Sequence, residues 1–290
     1  MSIAPAPAHD TVGAVSAAPI AAAETRLVPA VERAVRLLDA LAAARRPLSL
    51  AELARMLELP KSSVHGLMTT LTALGLARRD DAGEFTLGAK PLQWADVFSA
   101  QSDVLRAFEA QADHPALRTE TTMLAVLDGA DVMYLACRQG SRPLAVNFRV
   151  GGRFPACRTS TGKAIMATLP TARVRELVGD GPLPRLTRRG VATTAALLQQ
   201  LEEFRELGYA VDDEETAEGM QCFGAPIFGT RSDEAIAAVA VSVIKAGLGA
   251  RRRQELVAAI RELADAISRS LGADRPQGSP APRAAATRVV

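Results

Sequence analysis

Residues 49–74 read SLAELARMLELPKSSVHGLMTTLTAL, and the architecture of the first half of the chain turns on them. Ser49, Leu50, Ala51 and Glu52 have the spacing of a capping box: the serine hydroxyl accepts from the Glu52 amide while the glutamate side chain returns to the Ser49 amide. That sets a short helix over Leu50 to Leu57. Glu58, Leu59 and Pro60 make a tight connection. Val64, Leu67, Met68, Leu71 and Leu74 then share one stripe of a following helix. The opposite face carries Lys61, Ser62, Ser63, His65, Thr69 and Thr70, with no acid among them. Phosphates and base edges in a DNA groove demand that chemistry.

Upstream of this stretch, Val31, Val35, Leu38 and Leu41 are spaced for one face of a helix ending before Pro47. Downstream, Ala77-Arg78-Arg79 and Glu84-Phe85-Thr86-Leu87 flank Asp80-Asp81-Ala82-Gly83, two short strands around a glycine-containing turn. Three helices and a β-ribbon over residues 26–88 make a winged helix-turn-helix, with Arg78 and Arg79 on the ribbon. A helical bundle that only mediates assembly stays open as an alternative, because a capping box and a leucine stripe occur in any helical domain.

The 290 residues hold 34 Lys+Arg against 32 Asp+Glu. A net charge of +2 excludes a histone-like polyelectrolyte and confines any nucleic-acid contact to a local patch. Hydrophobic residues at 48% suffice for the cores of about two domains. The longest nearly apolar run, Ala235 to Ile244, is about half of the roughly 20 residues a helix needs to cross a bilayer, so no membrane span is expected. Residues 1–25, rich in Ala and Pro, have no basic start before an apolar block and read as a disordered leader, and 273–290 as a disordered tail. Cys137, Cys157 and Cys222 are dispersed and odd in number, which fits a reducing compartment and a cytoplasmic location.

After a linker helix over residues 89–103, residues 104–272 read as an α+β domain with a mostly antiparallel sheet. Thr121 to Leu127 and Val132 to Arg138 form a hairpin, Pro143 to Arg149 is a third candidate strand, and strands resume at Tyr209, Cys222 to Phe228 and Ile236 to Ile244. Helices are expected at Thr159 to Leu169, at Ala195 to Leu207 with Leu198, Leu201, Phe204 and Leu207 on one face, and at Arg251 to Leu271.

The order of these features resembles the IclR family of bacterial transcription regulators. LAVLDG at Leu124 to Gly129, TSTGKA at Thr159 to Ala164, GYAVDDEE at Gly208 to Glu215, GMQC at Gly219 to Cys222 and API at Ala225 to Ile227 are similar to that family's effector-domain motifs, in its order. The resemblance implies a regulator that binds a palindromic double-stranded operator as a homodimer or dimer of dimers, and that responds to a small organic acid. It implies DNA contacts at Lys61, Ser62, Ser63, His65, Thr69, Arg78 and Arg79. It further implies an effector site at Ser160, Thr161, Gly162, Asp212, Met220, Cys222, Ala240 and Ser242. Exposed amides and hydroxyls at the start of the Thr159 helix would suit a carboxylate. Glu58 stands where the family often has glycine, Gly66 where it often has arginine, and Ala240 where a hydroxyl residue is frequent.

Competing readings are plainer. Thr159 to Lys163 fails the phosphate-loop pattern, which needs Gly at Cys157 and Ser or Thr at Ala164, and Lys163 is then a helix surface charge. Asp212 to Glu215 reads as a solvated turn, with Asp212 alone singled out by the resemblance, and Cys222 as a half-buried pocket wall. No metal set, cofactor or catalytic nucleophile is nominated, so the chain is expected not to be an enzyme. The remaining alternative is a metabolite-binding protein or enzyme whose N-terminal helices mediate assembly.

Overall fold

The computed structural model describes residues 27–141, 148–230 and 233–273, and the chain divides between Ser102 and Asp103 into two compact units. In the first, α1 (Pro29–Ala44) starts on a proline whose fixed φ suits the first turn. Both arms of the capping box form at the start of α2 (Leu50–Met56). α3 (Lys61–Ala73) follows, then the antiparallel ribbon β1 (Ala77–Arg79) and β2 (Phe85–Leu87), with Arg78 opposite Thr86. Leu48 adds to the ribbon through reciprocal backbone hydrogen bonds with Phe85 of 3.0 and 2.8 Å. Leu37, Leu41, Leu53, Val64, Met68, Leu71 and Phe85 form the core beneath. α4 (Lys90–Gln101) closes the unit.

The inward face of α1 differs from the spacing argument. Leu37 and Leu41 are buried, whereas Val31 and Val35 are 61% and 50% exposed, because α1 carries two apolar stripes and only one meets α2 and α3. Leu74 is likewise exposed: α3 ends at Ala73 and the chain turns away through Gly75 at φ 75°.

The second unit begins with α5 (Asp103–Gln111), a helix that hydropathy spacing did not single out. A six-stranded antiparallel sheet follows, in the order β5-β4-β3-β8-β7-β6. Its strands are β3 (Thr121–Asp128), β4 (Asp131–Arg138), β5 (Arg153–Pro155), β6 (Ala210–Asp213), β7 (Met220–Phe228) and β8 (Ala235–Ile244). Between β5 and β6 run α6 (Ser160–Met166), α7 (Thr171–Val178) and α8 (Thr194–Leu207), and α9 (Ala250–Ser270) ends the unit. One apolar cluster joins α6 and α8 to one sheet face, through Met123, Ala238 and Ala240 among others. A second joins α5 and α9 to the other, through Leu124, Val239 and Val241.

Of the expected strand Pro143 to Arg149, residues 143–147 lie outside the described residues, and Phe148 and Arg149 have no regular structure. The third strand of that edge is β5, whose Phe154 pairs with Val132. In α8 it is Leu197 rather than Leu198 that is fully buried beside Leu201 and Phe204. Among the described residues no helix is long and apolar enough to cross a membrane.

Glu58, in the α2–α3 connection, adopts φ 54°, a left-handed conformation that costs an L-residue roughly 1 kcal/mol and glycine almost nothing. Glu58→Gly removes that strain but loosens the unfolded chain. Its net effect is a gain of about 0.5 kcal/mol, read as a rise in denaturation midpoint, while Glu58→Val lowers it.

Candidate DNA interface and effector site

On α3, Lys61, Ser62, His65 and Thr69 are exposed on one face and Ser63 is half-buried, while Val64 and Met68 anchor the opposite side in the core. The Thr69 hydroxyl donates to the His65 carbonyl at 2.9 Å and that of Thr70 to Gly66 at 3.1 Å, so both present acceptor lone pairs outward. A methyl at Gly66 would meet nothing within 4 Å, leaving that face flat. The two ribbon arginines differ. Both are exposed, but Arg79 donates to the Gly83 carbonyl at 3.3 Å and lies 5.6 Å from the Phe85 ring centre, whereas Arg78 lines an open groove of about 650 Å³ with Lys90 and Gln93. Nothing in the sequence marks Lys90. It joins Arg78 because its amide donates to the Gly75 carbonyl at 3.1 Å, folding the start of α4 against the ribbon.

At the entry to α2, Arg46 donates to Glu52 at 2.8 Å. That bond, with those from the Ser49 amide and hydroxyl, lowers the Glu52 carboxyl to a pKa of about 2. The capping box therefore keeps its charge through ordinary acid conditions.

In the second unit all seven residues of α6 are buried. Its cap is Thr159, whose hydroxyl accepts from the Gly162 amide at 3.0 Å. A methyl on Gly162 would come within 2.3 Å of the Ala156 carbonyl oxygen, and one on Gly224 within 2.5 Å of the Ser160 oxygen. Backbone therefore packs on backbone, and glycine is required at both positions. The helix-start amides expected to be exposed are covered, with Ser160 and Thr161 among the buried residues.

Beneath α6 the antiparallel register sets Asp212, Cys222, Ser242 and Thr121 side by side on β6, β7, β8 and β3. The Cys222 thiol lies 2.9 Å from the Ser242 hydroxyl, and the next row places Gly224 beside Ala240. Met220 is buried at the start of β7. Tyr134 is buried beside this row, and its ring packs edge-on to Phe148 and Phe154 at 5.4 and 5.9 Å. The fold thus gathers Ser160, Thr161, Gly162, Asp212, Cys222, Ala240 and Ser242 onto one side of the sheet, with Met220 at the end of the same strand as Cys222.

Asp212 accepts from the amides of Glu215 and Thr216 at 2.7 and 3.2 Å. Burial nevertheless raises its carboxyl, against the lowering by Thr216 and Lys163. Burial, and then the Asp212 charge, push the Cys222 thiol well up, so it is fully buried and protonated rather than a half-buried wall.

Two of the plainer readings do not hold. Lys163 is wholly buried: its ammonium donates to Glu215 and sits 5.4 Å from the Phe204 ring centre. The acidic run is a split turn in which Asp212 and Glu215 point inward while Asp213 and Glu214 bind Lys245 at 2.8 and 2.6 Å. Arg158, which no spacing in the sequence marks, is also fully buried. It donates to the carbonyls of Pro184 and Val191 and lies 3.8 Å from Glu215.

Removing one partner of a buried ion pair costs about 3–5 kcal/mol, against about 0.5 for a surface charge. Lys163→Met is therefore expected to destabilise the chain by roughly 3 kcal/mol in chemical denaturation. Burial already raises the Glu215 carboxyl, opposed mainly by Lys163, so the variant raises it further. The deficit is then present above that raised folded-state value and shrinks as the pH falls through it, because a protonated Glu215 needs no cation.

The chain matches two family models, the IclR helix-turn-helix domain over residues 30–81 and the bacterial transcriptional regulator IclR C-terminal domain over residues 98–269. It is 34% identical over 260 residues to the glycerol operon regulatory protein of Streptomyces griseus, covering 86% of this chain and 99% of that one. The crystal structure of the Agobacterium tumefaciens repressor BlcR is 38% identical, with a TM-score of 0.56 over 86% of this chain and 99% of its own. The IclR homolog of Microbacterium hydrocarbonoxydans, solved in complex with 4-hydroxybenzoate, shares the fold at 24% identity and a TM-score of 0.69, over 84% and 100% of the two chains. The chain belongs to the IclR family of bacterial transcriptional regulators, which are not enzymes: a helix-turn-helix DNA-binding domain followed by an α+β effector-binding domain.

Proposed function

We propose that this regulator reads a palindromic operator as a homodimer or dimer of dimers, and that a small organic acid bound in the C-terminal domain sets its operator affinity. The observation that carries the acid reading is the buried row Asp212, Cys222 and Ser242 beneath Thr161, with the cations Lys163 and Arg158 beside it. Buried hydroxyls and cations suit an acid that also carries a hydroxyl or carbonyl. The complex of the Microbacterium hydrocarbonoxydans homolog with 4-hydroxybenzoate supports that class of ligand.

In this reading Ser62, Ser63, His65 and Thr69 meet base edges, Lys61 and Arg78 hold phosphates, and Arg79 stiffens the ribbon. In the same reading residues 26–88 bind DNA and residues 104–272 bind the effector, with α4 (Lys90–Gln101) as the linker helix of the 89–103 segment. Pairing of copies is supported by the apolar side chains left outward on α4, where Trp94, Val97 and Phe98 are each more than half exposed at helical spacing, and by Val31 and Val35 on α1. A ligand shifts such an assembly only by binding one arrangement of its DNA heads better than another.

The test is a salt-controlled titration on DNA upstream of the chain's own coding region against scrambled DNA, with and without a panel of aliphatic and aromatic carboxylates. Sequence-selective binding altered by one acid is expected, and no preference over scrambled DNA overturns the reading. Arg78→Ala weakens binding to all sequences and reduces the log–log salt slope by about 1 for each phosphate no longer neutralised, while Arg79→Ala changes it less. Phe98→Asp shifts the chain toward monomer in size-exclusion chromatography and weakens binding to the palindrome far more than to a single half-site.

A further inference from the structure

Two buried cations, Arg158 and Lys163, face one carboxylate, that of Glu215. Its Oε1 accepts from Lys163. Its Oε2 and the facing Nη1 of Arg158 are 3.8 Å apart, and both lack a hydrogen-bond partner among the described residues. The other buried acid of the cluster, Asp212, is engaged instead by two backbone amides. Glu215 therefore satisfies its two cations only in part, and a half-satisfied buried network holds its members less firmly than a complete one.

We propose that the Arg158–Lys163 pair is an anion subsite that the chain fills with its own Glu215, and that the carboxylate of the effector enters it by displacing Glu215. This rests on the organic-acid reading above and names where the acid group goes. The subsite adjoins the polar row, since the Glu215 amide donates to Asp212 at 2.7 Å and Asp212 pairs with Cys222 across the sheet.

Displacement also supplies a readout for the rest of the domain. Glu215 lies in the β6–β7 turn beside Glu214, which is held at φ 62°. The Thr187 hydroxyl ties that turn to the segment between α7 and α8 by donating to the Glu214 carbonyl at 2.6 Å, and Arg158 grips the same segment at Pro184 and Val191. Freeing Glu215 thus loosens the turn and this segment together. A displaced Glu215, facing another carboxylate, takes a proton from solvent. The charged and titratable groups around it are Lys163, Arg158, Asp212 and Cys157, and a second carboxylate among them favours the neutral acid.

The experiment is calorimetric titration of the full chain with sodium pyruvate, succinate and 4-hydroxybenzoate, with 4-hydroxybenzamide and inorganic phosphate as controls. It is run in two buffers of different ionisation enthalpy, on the natural chain and on Glu215→Gln. The expected result is uptake of about one proton with the bound acid, and binding at least about tenfold tighter in Glu215→Gln without that uptake, while the neutral amide gains nothing. Acid binding that alters DNA affinity but takes up no proton, and is no tighter in Glu215→Gln, overturns the exchange and leaves the organic-acid reading standing. No binding of any acid to either protein overturns both. Phosphate matching the acids, in affinity and proton uptake, assigns the subsite to inorganic anions and overturns the acid as its occupant. If Glu215→Gln does not fold, proton uptake by the natural chain decides alone.

Discussion

Helix α6 can lie flat on the sheet only because two glycines let backbone meet backbone. Gly224 gives β7 room for the Ser160 carbonyl, and Gly162 gives α6 room for that of Ala156. With a side chain at either place the helix would have to lift. Every residue of α6 is consequently buried, including the two hydroxyls and the lysine that a helix would otherwise turn to water. The site's polarity is thus forced inward by packing, and each polar group has to find its partner on the sheet or in the turns beside it.

The charges around α6 follow from that constraint. Lys163 cannot reach solvent, so it requires Glu215, and Glu215 enters the interior through a turn whose neighbouring residue, Glu214, is held in a left-handed conformation. Arg158 is fixed by two carbonyls of the segment before α8. Three separate stretches of chain are thereby fastened at one buried point next to the row of Asp212, Cys222 and Ser242. A ligand that alters the charge balance there is felt by all three, which is the coupling an effector domain needs.

The DNA-binding unit is organised by shape and surface charge instead. A small core beneath α3 holds its polar face outward, and the ribbon leaves Arg78 and Arg79 exposed, with Arg79 held by Gly83 and Phe85. With a net charge of only +2 for the whole chain, affinity depends on where the exposed cations of this unit stand rather than on overall charge, and the fold adds Lys90 to Arg78 at the foot of the ribbon.

Local rules were enough for much of this. The capping box at Ser49, the α3 stripe through Val64, Met68 and Leu71, the hairpin at Asp128 to Asp131 and the long apolar run of β8 are all written in residues close together in sequence, because caps, turns and hydrophobic period act over a few residues. The resemblance to a known family groups Asp212, Cys222 and Ser242, and the sheet register sets the three side by side. Which stripe of α1 is buried, that Lys163 and Glu215 are an interior pair and not surface charges, and that Arg158 belongs with them depended on the tertiary structure. Those outcomes are set by partners far apart in the chain, such as Lys163 and Glu215 at a separation of 52 residues. Burial and charge pairing at that range are properties of the packed chain, and no spacing within a single segment encodes them.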